Sequence, residues 1–188
     1  DLEPVNGAAL SLARLLAYDG DMAAAQELLA SLPVGEADEV TFADMLATVT
    51  ALEGDTATGL SLLAERLAES PNNADALNAD CWFRGLFQVA LGDAVERCTQ
   101  AVERAADPAY ALDSRALVRF RQGELAAALT DLDAALTLSP GLAPSLYLRG
   151  VVRLHAGDRA GREDIATDLR MMPQLPATYG RHGIVPPR

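Results

Sequence analysis

The sequence predicts an all-α fold: a right-handed superhelical solenoid of about five helix–turn–helix repeats, closed by a short C-terminal capping segment. Three observations predict it. Gly20, Gly54, Gly92, Gly123 and Gly157 recur at spacings of 34, 38, 31 and 34 residues. Each is followed by an acidic residue: Asp21, Asp55, Asp93, Glu124 and Asp158. Pro33, Pro71, Pro108, Pro140 and Pro173 then close successive units. A glycine takes the left-handed cap that ends one helix, and a carboxylate favours the N-terminus of the next. A proline forbids continuation of the second helix.

The repeats are read in order over one domain, residues 1–188. The first, about 6–35, opens with AALSLARLLAYDG, whose apolar residues fall at three-and-four spacing. The second, about 38–73, opens with TFADMLATVTALEG, and the third, about 74–108, with LNADCWFRGLFQVALG. The third is irregular: Gly92 and Ala94 stand two apart where five is usual, so its second helix starts abruptly. The fourth, about 109–142, carries YALDSRALVRFRQG, and the fifth, about 143–176, carries SLYLRGVVRLHAG with one residue lost after Gly157. In each second helix a small residue precedes a larger one by four: Ala25/Leu29, Gly59/Leu63, Ala94/Cys98, Ala128/Leu132 and Gly161/Ile165. That spacing puts both on one face, the small one admitting the partner helix. The chain breaks the period after Pro173, with residues 177–188 as a C-terminal cap or tail and Leu175, Tyr179 and Ile184 as its apolar contacts.

Composition agrees. Half the residues are apolar but only 5% are aromatic, which suits closely packed Ala- and Leu-rich helices and disfavours a β-sandwich. The net charge of −12 repels phosphate backbones and excludes nucleic acid as the expected partner. Every basic side chain other than the two histidines is arginine. No apolar run is long enough to span a membrane, and no stretch of the given sequence reads as a signal peptide. The chain opens at Asp1 rather than Met, which points to processing or to a piece of a longer protein.

A period near 34 residues, with glycine at the inter-helix turn and proline at the end, resembles the tetratricopeptide repeat (TPR) family over nearly the whole chain. The lower half resembles a narrower group of bacterial TPR segments. It carries Asn78, Cys81-Trp82 and Arg84, then Asp113-Ser114-Arg115-Ala116, then Leu146-Tyr147 with Arg149-Gly150, and finally Tyr179-Gly180 with Gly183-Ile184. Such segments are often appended to another domain, peptidase-like ones included.

The resemblance implies that first helices line a concave face. There it places Leu10, Arg14, Asp44, Trp82, Leu86, Val89, Tyr110, Asp113, Leu117, Phe120, Tyr147, Val151 and Leu154, with Arg121 close by. From Trp82 onward this wall is apolar and aromatic, which suits a helix or an extended peptide. Packing between repeats is the competing role, above all for Trp82 and Leu117. Some TPR domains grip a C-terminal carboxylate with Lys and Asn. The matching positions here hold Phe83, Ser114, Leu117, Leu148 and Val151, so that clamp is not expected.

Arg84, Arg115 and Arg149 recur at one register. Asp131 and Asp164 follow the latter two by 16 and 15 residues, at the facing point of the second helix. Structural ion pairs Arg115–Asp131 and Arg149–Asp164 are expected, the alternative being a basic strip for an acidic peptide. Arg84 lacks such an acid, because Arg97 holds the matching place. Arg119, Arg121 and Arg153 are freer to meet a ligand. Cys81 and Cys98 lie on the two helices of one repeat, either as buried thiols or as a disulfide.

No catalytic constellation emerges. His155 and His182 are the only histidines, stand 27 residues apart and have no carboxylate-flanked setting. Nucleophile elbows, phosphate loops and HExxH are missing. Neither cofactor nor metal is expected. The reading is a non-catalytic scaffold that binds a protein or peptide in its concave groove. The alternative is a C-terminal regulatory or positioning appendage of a larger bacterial protein, for example a peptidase, whose catalytic domain is not in this chain. Cytoplasm and periplasm are both compatible with this sequence.

Overall fold

The structure is a computed structural model and describes residues 7–33 and 39–188. The repeat bounds expected at residues 6, 35 and 38 lie outside the described residues. Eleven helices and no strand occur among the described residues: α1 Gly7–Asp19, α2 Met22–Ser31, α3 Glu39–Leu52, α4 Thr56–Glu69, α5 Ala74–Phe87, α6 Ala94–Arg104, α7 Ala109–Arg121, α8 Leu125–Leu138, α9 Ala143–His155, α10 Gly161–Met171 and α11 Leu175–Arg181. Helices α1 to α10 pack as antiparallel neighbours in five consecutive pairs. Each odd helix also touches the next odd helix, and each even helix touches the odd helix that follows it. That contact pattern is a helical repeat solenoid, with first helices forming one layer and second helices the other.

Local chemistry sets the boundaries. Gly20, Gly54, Gly123 and Gly157 hold φ between 80° and 103°, the left-handed conformation that ends a helix. Asp21 and Asp55 then accept from the backbone N–H groups of Ala24 and Thr58, capping α2 and α4. Helices α2, α4, α8 and α10 each stop two residues before a proline.

The third turn departs from this rule. Gly92 does not take the left-handed cap. Gln88 (φ 57°) and Ala90 (φ 47°) do so instead, at an intrinsic cost of about 1 kcal/mol each. Side chains hold this turn in place. Arg84 donates to Ala90 O at 3.0 Å and to Asp93 Oδ1 at 3.1 Å, and Gln122 donates to Leu91 O at 2.8 Å. A disulfide joins Cys81 to Cys98 across α5 and α6, with Cα atoms 5.1 Å apart.

Small residues let the helices approach. Ala13, Ala47, Ala101, Ala116, Ala128 and Ala135 are fully buried. In the last pair, a Cβ on Gly150 would stand 2.6 Å from Ile165 Cγ1 and 2.7 Å from Gly161 O, so α9 and α10 cross at a distance only glycine permits. Buried clusters then follow one another along the chain, first among α1, α2 and α3, next among α3, α4 and α5, and finally around α7, α8 and α9.

Candidate functional site

The inner wall of the solenoid divides into an occupied half and an open half. Helix α11 produces the division. After Pro173 the chain reverses, and Leu175 and Tyr179, four residues apart on one helix face, enter the core beside Leu86, Leu117, Tyr147 and Val151. Ile184 follows and is fully buried. The segment therefore does not merely cover the end of the last repeat. It lies on the inner faces of α5, α7 and α9.

Its polar contacts reach the far end of the molecule. Tyr18 Oη on α1 is 2.8 Å from His182 Nε2, and Arg181 donates to Tyr18 O. Arg121 donates to Gly85 O and to His182 O. Tyr147 donates to Ile184 O, and His155 Nε2 is 3.0 Å from Val185 O. The His182 ring also meets Phe87 edge-on at 5.1 Å. Burial, with Arg121 and Arg181 adding repulsion, lowers the His182 pKa from 6.5 to about 4, so the imidazole is neutral at pH 7.

This placement sorts the residues expected on the concave wall. Leu117, Tyr147 and Val151 are buried in one cluster with Leu175, Tyr179 and Ile184, Leu117 also packing against Gly85 of α5, and present almost no surface. Phe120 packs against the His155 ring at 5.2 Å, and Leu154 is half-buried. Arg121 is not free: it bridges Gly85 O on α5 and His182 O of the tail. Trp82, Leu86, Tyr110 and Asp113 instead line an open pocket of about 340 Å³ between α11 and the inner faces of α1, α3, α5 and α7. Tyr110 is 62% exposed at its edge, and the Trp82 ring packs beside that of Tyr179, centroids 6.1 Å apart.

Arg14, Tyr18, Asp44, Thr48 and Asn78 complete the pocket on the N-terminal side. Asp44 Oδ1 and Asn78 Oδ1 are covered and have no hydrogen-bond partner among the described residues. Asp113 is 4% exposed, and its Oδ1 accepts from Ser145 Oγ at 2.6 Å. Burial raises the pKa of Asp44 to about 6 against the opposing pull of Arg14, and raises that of Asp113 to about 6 against the Ser145 hydrogen bond.

The arginine register serves a structural network on the outer side. Arg115 grips Asp131 with two hydrogen bonds, of 2.9 and 2.6 Å, and Arg119 adds a third at 2.7 Å. One repeat later Arg149 grips Asp164 at 2.9 and 2.7 Å, and Arg153 adds 2.8 Å. Arg115 also reaches Thr99 on α6, and Arg149 reaches Asp133 on α8. Each arginine thus ties its own second helix to that of the preceding repeat. Arg119 and Arg153 are committed to these pairs and are not free for a ligand. Arg84 does find acids: Asp80 within its own helix at 2.8 Å, and Asp93. Asp80 is fully buried; the four-residue spacing Asp80–Arg84 was the signal for it in the sequence.

No group of three or more His, Cys, Asp or Glu side chains suited to a metal occurs among the described residues. No helix among them is long and apolar enough to cross a membrane.

No protein-family model matches the chain, and no curated protein matches it. Solved structures do. MamA (residues 41 to the end) from Desulfovibrio magneticus RS-1 is 16% identical with a TM-score of 0.58, over 89% of this chain and 97% of that one. YrrB, a TPR protein with an unusual peptide-binding site, is 17% identical with a TM-score of 0.55, over 93% of this chain and 89% of that one. At these identities the likeness is one of fold, and the fold is TPR-like.

Proposed function

We propose that the protein is a non-catalytic scaffold that holds an extended segment of a partner protein in the pocket between α11 and the inner helices. The observation that carries this reading is the pocket itself. It is open, edged by Trp82 and Tyr110, and contains acceptor oxygens with no donor among the described residues. A buried polar group without a partner costs about 1–3 kcal/mol, and a peptide supplies donors to offset that cost. A pocket of about 340 Å³ takes one or two side chains, so the partner lies across the opening with an anchor inserted. The neighbouring surface already accepts a helix: α11 occupies the inner wall much as a bound peptide would. The fold likeness to a peptide-binding TPR protein supports the same reading.

The test is a display library of short random peptides panned on the protein. Trp82 is the only tryptophan and lines the pocket, so its emission reports occupancy. Selected peptides should shift that emission, and Tyr110→Ser should weaken them at least about tenfold, the effect of losing an aromatic anchor. Peptides that bind without moving Trp82 emission, or that ignore Tyr110→Ser, would place recognition elsewhere.

A further inference from the structure

We infer that the anchor this pocket receives is an arginine side chain of the partner, an inference that rests on the groove reading above. Three oxygens face the requirement together. Asp44 Oδ1 and Asn78 Oδ1 are covered and unpartnered among the described residues. Asp113, more than nine-tenths buried, uses Oδ1 for Ser145 and has no hydrogen bond to Oδ2 among the described residues. All three residues line one pocket. A ligand that satisfies them must bring several N–H donors, and a guanidinium brings five in a planar fork.

Charge and shape agree with the donor requirement. Two carboxylates line the pocket against one guanidinium, that of Arg14, which is exposed. The whole chain carries a net charge of −12, so its field draws cations toward the opening. An anion there would meet Asp44 and Asp113 at close range. Trp82 and Tyr110 offer flat faces on which a guanidinium stacks. Burial has already raised the pKa of both carboxylates, so each ionised form lacks the solvation an incoming cation would restore.

The experiment uses the peptides selected above. They should share an arginine. Replacing that arginine by citrulline, which keeps the shape and removes the charge, should weaken binding at least about tenfold as read by Trp82 emission. Asp44→Asn should shrink the arginine–citrulline difference, and Asp113→Asn, whose amide oxygen still accepts from Ser145, should do the same. Melting curves of both variants confirm that they are folded. The inference is overturned if selected peptides require Tyr110 yet carry no arginine, or if citrulline binds as tightly as arginine. If no peptide binds at all, the groove reading itself fails and this inference fails with it.

Discussion

Tyr18 and His182 are separated by 164 residues and joined by a 2.8 Å hydrogen bond. Through it the first repeat is fastened to the C-terminal segment, and the solenoid is tied across its own inner face. A repeat array normally transmits stability only between neighbours. This contact joins the two ends directly.

Tyr179 carries the buried side of that tie, at 3% exposure. Tyr179→Ala should cost about 3–5 kcal/mol, the range for truncating a core aromatic. Because the ten solenoid helices pack pairwise without α11, far-UV circular dichroism should stay close to wild type. Trp82, whose ring centroid is 6.1 Å from that of Tyr179, should shift its emission to the red. Unchanged emission would mean that α11 does not form the wall beside Trp82.

Arg149 and Arg153 both hold Asp164. Arg149→Met alone should destabilise by about 1–3 kcal/mol, since Arg153 still neutralises the buried acid. The double change to Met should cost more than the sum of the two single changes, because it leaves Asp164 buried and unpaired. Urea unfolding of the four proteins measures this, and strict additivity would show that the arginines act independently.

The Cys81–Cys98 disulfide closes a segment of 17 residues. Cys81→Ser/Cys98→Ser should lose about 3 kcal/mol of stability, and reduced wild type should unfold at the same urea concentration as the variant. Free thiols detected in the oxidised protein by alkylation and mass spectrometry would contradict the bond.

Asp168 is fully buried, and neither carboxylate oxygen has a partner among the described residues. Burial raises its pKa from 3.8 to about 6. The folded protein therefore binds this proton more tightly than the unfolded chain. The group's contribution is complete below pH 3.8 and is lost as pH rises through about 6. Asp168→Asn removes the loss, so thermal melts near pH 7 should show a gain on the order of 1–2 kcal/mol, with little change near pH 4. His182 acts in the opposite sense. Its pKa is lowered from 6.5 to about 4, so its contribution is present above pH 6.5 and is lost as pH falls through about 4. An Asp168→Asn variant that gains nothing at neutral pH would show that the carboxylate is solvated.

Much of the molecule was written locally in the sequence. Glycine, acid and proline recur because each acts within one or two turns, by cap geometry, terminal charge or a missing N–H. The offsets linking Arg115 to Asp131 and Arg149 to Asp164 follow from helix and turn lengths, which are local too. Where several side chains share a task, the local signal weakened. At the third turn Gln88 and Ala90 took the left-handed conformation that Gly92 was expected to hold, because Arg84, Gln122 and the disulfide fix the chain there.

The site itself was decided by tertiary structure. The resemblance carried by the sequence implied that first helices would line an apolar inner wall, and the break in the period after Pro173 marked a cap or tail. The sequence did not determine where that segment would lie. Leu175, Tyr179 and Ile184 found their surface only once curvature had brought α1, α5, α7 and α9 around them. That choice joined Leu117, Tyr147 and Val151 to the tail in one buried cluster, engaged Arg121, and left the pocket around Asp44, Trp82, Tyr110 and Asp113 open. Helix formation depends on neighbours within a few residues, whereas docking of α11 depends on groups more than a hundred residues away meeting in space.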